Sequence, residues 1–220
     1  MAPELDLTQV PQERRYEMLA RALQMLPPNG EIIVLTQGAA RPLLQRLIAE
    51  HWGRFDWTPL AEQGGCWRSA LRKRDAPLQS LTEFLSADHE RIDGLYSRML
   101  SMVQAGRDAR AEFRLFETAM RRHIAMEEEG FFPEFDRMMG LEGQGPTAVM
   151  REEHVEIREL LDRMSGCAAE GDRAGLLAAG ETFVTLIEQH NLKEQQMLYP
   201  MADEAFGAQT DDLLRKLALY

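Results

Sequence analysis

The same spacing of side chains occurs twice in the second half of the chain. His123 and Glu127 are followed by Phe131, Phe132 and Pro133, and His190 and Glu194 by Leu198, Tyr199 and Pro200. Histidine, glutamate, bulky apolar, aromatic and proline thus recur at identical offsets. A step of four residues advances about 6 Å along an α-helix and returns to nearly the same face. Each histidine–glutamate pair can therefore reach one point from one side. A second pattern also recurs: Asp88, His89, Ile92 and Leu95 match Glu153, His154, Ile157 and Leu160 in type and spacing. Four of the five histidines fall one to each helical segment, and only His51 lies elsewhere. This half of the chain reads as two copies of one helix pair related by an approximate two-fold axis.

The local signals agree with that reading. Ser80 followed by Glu83 is a capping-box pattern at a helix start. Beyond it the chain is nearly all helical in periodicity, broken at 106–108, 140–146 and 171–172, with a shorter segment from about Asp211. Four amphipathic segments with short connections predict an antiparallel, up-down four-helix bundle over 78–206, followed by a C-terminal helix in 207–220. Pro133 and Pro200 are expected to kink or end their helices. Phe131, Phe132, Leu198 and Tyr199 are expected to pack in the core at one end of the bundle, with donation from Tyr96 or Tyr199 to a bound ligand as the lesser alternative.

The first 75 residues have another texture. Leu5 to Leu7 reads as a short strand and Pro11 to Leu26 as an amphipathic helix stopped by Pro27, Pro28 and Gly30. A β-branched run from Glu31 to Thr36 predicts a buried strand, and Arg41 to His51 a second helix. Phe55 to Leu60 and Cys66 to Arg72 read as two strands joined around Gly64 and Gly65. The order β-α-β-α-β-β predicts a small two-layer α/β sandwich over 1–75. The basic group Arg68, Arg72, Lys73 and Arg74 reads as a solvated strand end.

One histidine four residues before one glutamate is weak evidence for a metal. With acids at 36 of 220 positions, chance alone places both glutamates about once in 37. Four histidines in matched places with two glutamates at helical spacing form a ligand set of another order: His89, His123, Glu127, His154, His190 and Glu194. Imidazole and carboxylate without thiolate suit iron, manganese or zinc. Six side chains shared by two ions leave coordination positions open, whereas a structural zinc takes four ligands and prefers cysteine. Two carboxylate-bridged iron ions are the first expectation and manganese the second. Asp93, four residues after His89, reads as solvated helix surface, and Glu128, Glu129 and Glu153 as solvated or as acceptors for imidazole N–H groups.

A formal net charge of −11 argues against a nucleic-acid partner, whose phosphates would repel it. The longest apolar runs, such as Ile32 to Leu35, are too short to span a bilayer. Ala2, Pro3 and Glu4 begin no secretion signal, and Cys66 and Cys167 form no close pair, so a cytoplasmic protein with reduced thiols is expected.

On these residues the segment 78–206 resembles the hemerythrin-like HHE cation-binding family. That resemblance implies a four-helix bundle around a non-haem di-iron centre, with His89, His123, Glu127, His154, His190 and Glu194 as its ligands. Oxygen-carrying members usually place a histidine where this chain has Arg158 and an aspartate where it has Gln195. Four histidines with two glutamates, and the segment Gly145 to Met150 leading to Glu153 and His154, look more like the branch that repairs iron centres. The first domain resembles a family of unknown function related to TusA-type sulfur carriers, through Leu5 to Leu7, Gly30 to Val34, Arg41 to Leu43, Phe55 to Trp57 and Cys66 to Arg68. A sulfur carrier needs a reactive cysteine after its first strand, where this chain has Thr8 to Pro11, so sulfur transfer is excluded. The resemblance implies binding of oxygen, nitric oxide or iron in stress response or iron homeostasis. The alternatives are a metal- or gas-responsive regulatory module, its first domain meeting a protein partner, and a di-iron oxidase or peroxidase.

Overall fold

The computed structural model describes residues 2–38, 41–51, 53–63, 65–141 and 143–220, so Gly64 between two predicted strands lies outside the described residues. The chain divides into two compact units, Met1–Gln79 and Ser80–Ala218.

In the first unit the order is β1 (Glu4–Asp6), α1 (Gln12–Met25), β2 (Glu31–Gln37), α2 (Arg41–His51), β3 (Phe55–Gln63) and β4 (Cys66–Lys73). The strands lie in the order β1-β2-β4-β3. β1 runs parallel to β2, and β4 runs antiparallel to both its neighbours. Ile32 and Val34 alternate along β2 and, with Leu71 of β4, pack against Leu19 and Leu23 of α1 and Leu47 of α2. Pro59 is accommodated because β3 is an edge strand, and the register shifts between Pro59 and Ala61. The basic strand end is exposed at Arg68 and Arg72, as expected, and it is also paired. Arg68 bonds Glu4, Arg72 bonds Asn29, Arg74 bonds Asp56, and Lys73 Nζ donates to the carbonyls of Gln24 and Leu26 where α1 ends.

The second unit is all helical. Its elements are α3 (Leu81–Gln104), α4 (Arg110–Ala125), α5 (Phe132–Met139), α6 (Pro146–Glu170), α7 (Arg173–Lys193), α8 (Tyr199–Phe206) and α9 (Thr210–Leu217). α4 runs into α5 through a π turn at Met126–Phe131, and α7 into α8 through a second one at Glu194–Leu198. The four rods of the bundle are thus α3, α4–α5, α6 and α7–α8. The α3 start is capped twice: Ser80 accepts from the Glu83 N–H, and Asp203 of α8 accepts from the N–H groups of Leu81 and Thr82. Gly171, at φ +72°, ends α6 in the left-handed conformation that glycine adopts without steric cost, and Asp172 then caps α7. One stretch of core joins all four rods, with Phe113, Phe116 and Phe183 meeting edge to face.

The prolines differ from expectation. Pro133 and Pro200 do not end their rods: each stands in the first turn of the helix that continues it, α5 or α8. Just before each one, the turn closes five residues back: the Phe132 N–H donates to the Glu127 carbonyl, and the Tyr199 N–H to the Glu194 carbonyl. A proline ring clashes with the carbonyl four residues behind it. Widening the turn by one residue makes room for the ring and lets the helix continue.

Candidate metal centre

The four rods bring all six predicted side chains into one buried region. His89 comes from α3, His123 from the last turn of α4, His154 from α6 and His190 from the last turn of α7. Glu127 and Glu194 come from the two π turns. His89 is 3% exposed and the other five are 0% exposed. The Nε2 atoms of His89 and His123 face each other at 2.9 Å, and those of His154 and His190 at 3.1 Å. The glutamates span the two pairs. Glu127 Oε2 lies 3.4 Å from His123 Nε2 and 3.3 Å from His154 Nε2. Glu194 sets Oε2 3.4 Å from His89 Nε2 and Oε1 3.2 Å from His190 Nε2.

Whether this set fits a cation can be judged from its protons. Asp88 lies 3.0 Å from His123 Nδ1, Glu128 3.0 Å from His154 Nδ1, and Glu153 2.9 Å from His190 Nδ1. An ionised carboxylate only accepts, so these three rings carry their proton on Nδ1 and aim the Nε2 lone pair inward. The His154 and His190 lone pairs then face each other at 3.1 Å, an arrangement that calls for a positive charge. Glu127 Oε2 and Glu194 Oε1 are buried and accept no hydrogen bond, which is costly unless a cation meets them. Donors held about 2.1 Å from one ion lie about 3.0 Å apart on an octahedral edge and about 3.4 Å on a tetrahedral one. The separations here fall in that range. The donor atoms of Glu127, His154, His190 and Glu194 lie within 4.8 Å of one another, as do those of His89, His123 and Glu194. The residues fit bound metal.

The surrounding field points the same way. Burial opposes ionisation of Asp88, yet Arg91, Arg122 and His123 hold its carboxyl well below the usual carboxylate range. Burial likewise works against Glu194, but His190 and His89 hold it low as well. Burial would lower His190, and the attraction of Glu194 and Glu127 outweighs it, pushing the imidazole up to about 9. Without a metal, protons take the cation's place, and the two compete for the same nitrogens.

Sequence reasoning preferred simple core packing for Tyr199 over a contact with the site. Its one hydroxyl proton is shared between Glu127 Oε1 at 2.6 Å and Glu194 Oε2 at 2.9 Å, and the oxygen lies 3.3 Å from His89 Nε2. Burial and both carboxylates raise its pKa well above the usual phenol value. Phe132 occupies the matching place in the first motif and stacks on His154 with ring centroids 5.7 Å apart. Gln195, one residue after Glu194, sets its amide nitrogen 2.9 Å from His89 Nδ1, in the place where Glu128, one after Glu127, lies 3.0 Å from His154 Nδ1. Asp93 and Glu129 are exposed, as expected of solvated surface.

A family model for the hemerythrin HHE cation-binding domain matches residues 80–202. The chain belongs to that family. No curated protein and no solved structure matches it. The hemerythrin match spans all six site residues and both π turns, and the first 79 residues lie outside it. A buried histidine–glutamate cluster able to bind metal is what the family description and the geometry share. Among the described residues, no helix is long and apolar enough to cross a membrane.

Proposed function

We propose that the helical unit is a non-haem di-iron centre that binds a small diatomic ligand, oxygen or nitric oxide, in stress response or iron homeostasis. His89 and His123 would hold one iron, His154 and His190 the other, and Glu127 and Glu194 would bridge them. Manganese is the second choice by ligand chemistry. The observation carrying this reading is that each glutamate reaches both histidine pairs. Bound iron would supply open coordination positions and the electrons for holding such a ligand. The chain's own part is visible in its residues. Asp88, Glu128 and Glu153 hold protons on Nδ1 and so keep the lone pairs inward. Phe131, Phe132, Tyr199 and Leu198, each at most 2% exposed, exclude water. The count of four histidines and two glutamates favours the iron-centre repair branch over the oxygen carriers.

The full chain, purified anaerobically and loaded with ferrous iron, is expected to hold about two iron atoms. His154→Ala is expected to lower that count. A chain that takes up one zinc in preference, and shows no visible absorbance after iron loading and oxidation, would overturn the reading.

A further inference from the structure

The approximate two-fold of the site is broken by one hydroxyl. The second motif repeats the first at an offset of 67 residues, so Glu194 answers Glu127, Gln195 answers Glu128, and Tyr199 answers Phe132. In position the hydrogen bonds keep that symmetry: Asp88 serves His123 as Glu153 serves His190, and Gln195 stands at His89 Nδ1 where Glu128 stands at His154 Nδ1, though the Gln195 amide nitrogen donates where the Glu128 carboxylate accepts. At the last position it fails. Phe132 offers His154 only a ring face, with an interplanar angle of 12°. Tyr199 brings an oxygen 2.6 Å from Glu127 Oε1, 2.9 Å from Glu194 Oε2 and 3.3 Å from His89 Nε2. Those three atoms bound the half of the site built on His89 and His123; the 2.9 Å and 3.3 Å spacings are close to those of neighbouring vertices around one cation, and the 2.6 Å one is a hydrogen bond to Glu127.

We infer that Tyr199 is a seventh protein ligand, bound through its phenolic oxygen to the ion at His89 and His123 and to no other. This rests on the two-ion reading above. It makes the ions unequal, because Phe132 gives the His154 and His190 position no matching oxygen. In the metal-free protein the phenol proton is held between the two carboxylates. When ferric ions neutralise those carboxylates, the local field reverses and a phenolate becomes the better partner. On ligation the O–H bond breaks, the oxygen–iron bond forms, the proton passes to the buffer, and no electron moves.

The test uses the full chain, loaded with ferrous iron without oxygen and oxidised by added ferricyanide, one electron per ion. A phenolate bound to ferric iron gives a visible charge-transfer band, and Raman excitation in that band returns phenolate ring vibrations. The expected result is such a band in the wild type and its complete loss per bound iron in Tyr199→Phe, with iron counted in the same sample. Ring-deuterated tyrosine in the wild type gives the same answer without a variant, because the ring vibrations must shift. Of the four tyrosines, Tyr199 is the one whose hydroxyl bonds the site glutamates. Two bound ferric ions with no phenolate vibrations, or a band that survives Tyr199→Phe, overturns the inference and leaves the two-ion reading intact. A wild-type chain that binds no iron removes that reading and this one together.

Discussion

Asp88 and Glu153 each stand beside a histidine in sequence but serve the histidine of the next rod, His123 and His190. An acid beside a ligand in sequence points away from it along the helix, so its partner has to come from a neighbour. That is why adjacency in sequence gave the acids no definite role, while the four-residue step from histidine to glutamate could be read directly. Asp88 is also held by Arg91 and Arg122, so its orientation is fixed from three sides. Removing its charge leaves the ring free to turn and makes His123 a poorer donor to metal. Asp88→Asn is expected to weaken iron binding about 10-fold and Asp88→Leu up to about 100-fold, read by competition with a chromogenic chelator. Unchanged affinity in both variants would show that Asp88 serves the fold and not the site.

The helices show a different boundary of legibility. Their order and the strand–helix alternation of the first unit were readable because apolar periodicity switches cleanly from two to 3.6. The π turns were not. In an α-helix, five residues advance about 500°, which leaves the fifth about 140° away from the first. On that count Tyr199 faces away from Glu194 and belongs to the core. A turn closed five residues back returns it over Glu194, where it donates to that carboxylate. The proline in each motif was the available clue, and it pointed only to a kink or an end. Another contact hidden from local pattern is the cap that Asp203 gives α3, accepting from Leu81 N at 2.6 Å and from Thr82 Oγ1 at 2.6 Å. It ties the start of the rod bearing His89 to the end of the rod bearing Glu194. Asp203→Ala is expected to cost about 1–2 kcal/mol of stability, measured by denaturant unfolding of the iron-free chain. A loss below about 0.5 kcal/mol would mean that Ser80 alone is a sufficient cap.

At the scale of the whole chain, all six proposed ligands and Tyr199 come from the helical unit, and none from the first 79 residues. The role of the first unit stayed closed to sequence because its pattern specifies a packed sheet and no repeated histidine–carboxylate spacing like that of the helical unit. The helical unit gathers buried carboxylates and inward-facing lone pairs that repel one another when no cation is present. Metal bound only by the folded state must therefore raise its stability, by about 2.7 kcal/mol for each ion held at 100 times its dissociation constant. Stripping the iron with a chelator is expected to lower the melting temperature and to speed amide hydrogen exchange around His123 and His190. The amides of β2 and β4, paired from Glu31 with Arg72 to Gln37 with Cys66, should exchange at the same rate with and without iron. The decisive comparison is the same exchange measurement on His89→Ala and His154→Ala in iron. Each is expected to resemble the stripped protein within the bundle, because losing one ion leaves both bridging glutamates half unpaired. A stripped wild type that melts at the same temperature as the loaded one would mean that the buried carboxylates are neutralised by protons alone.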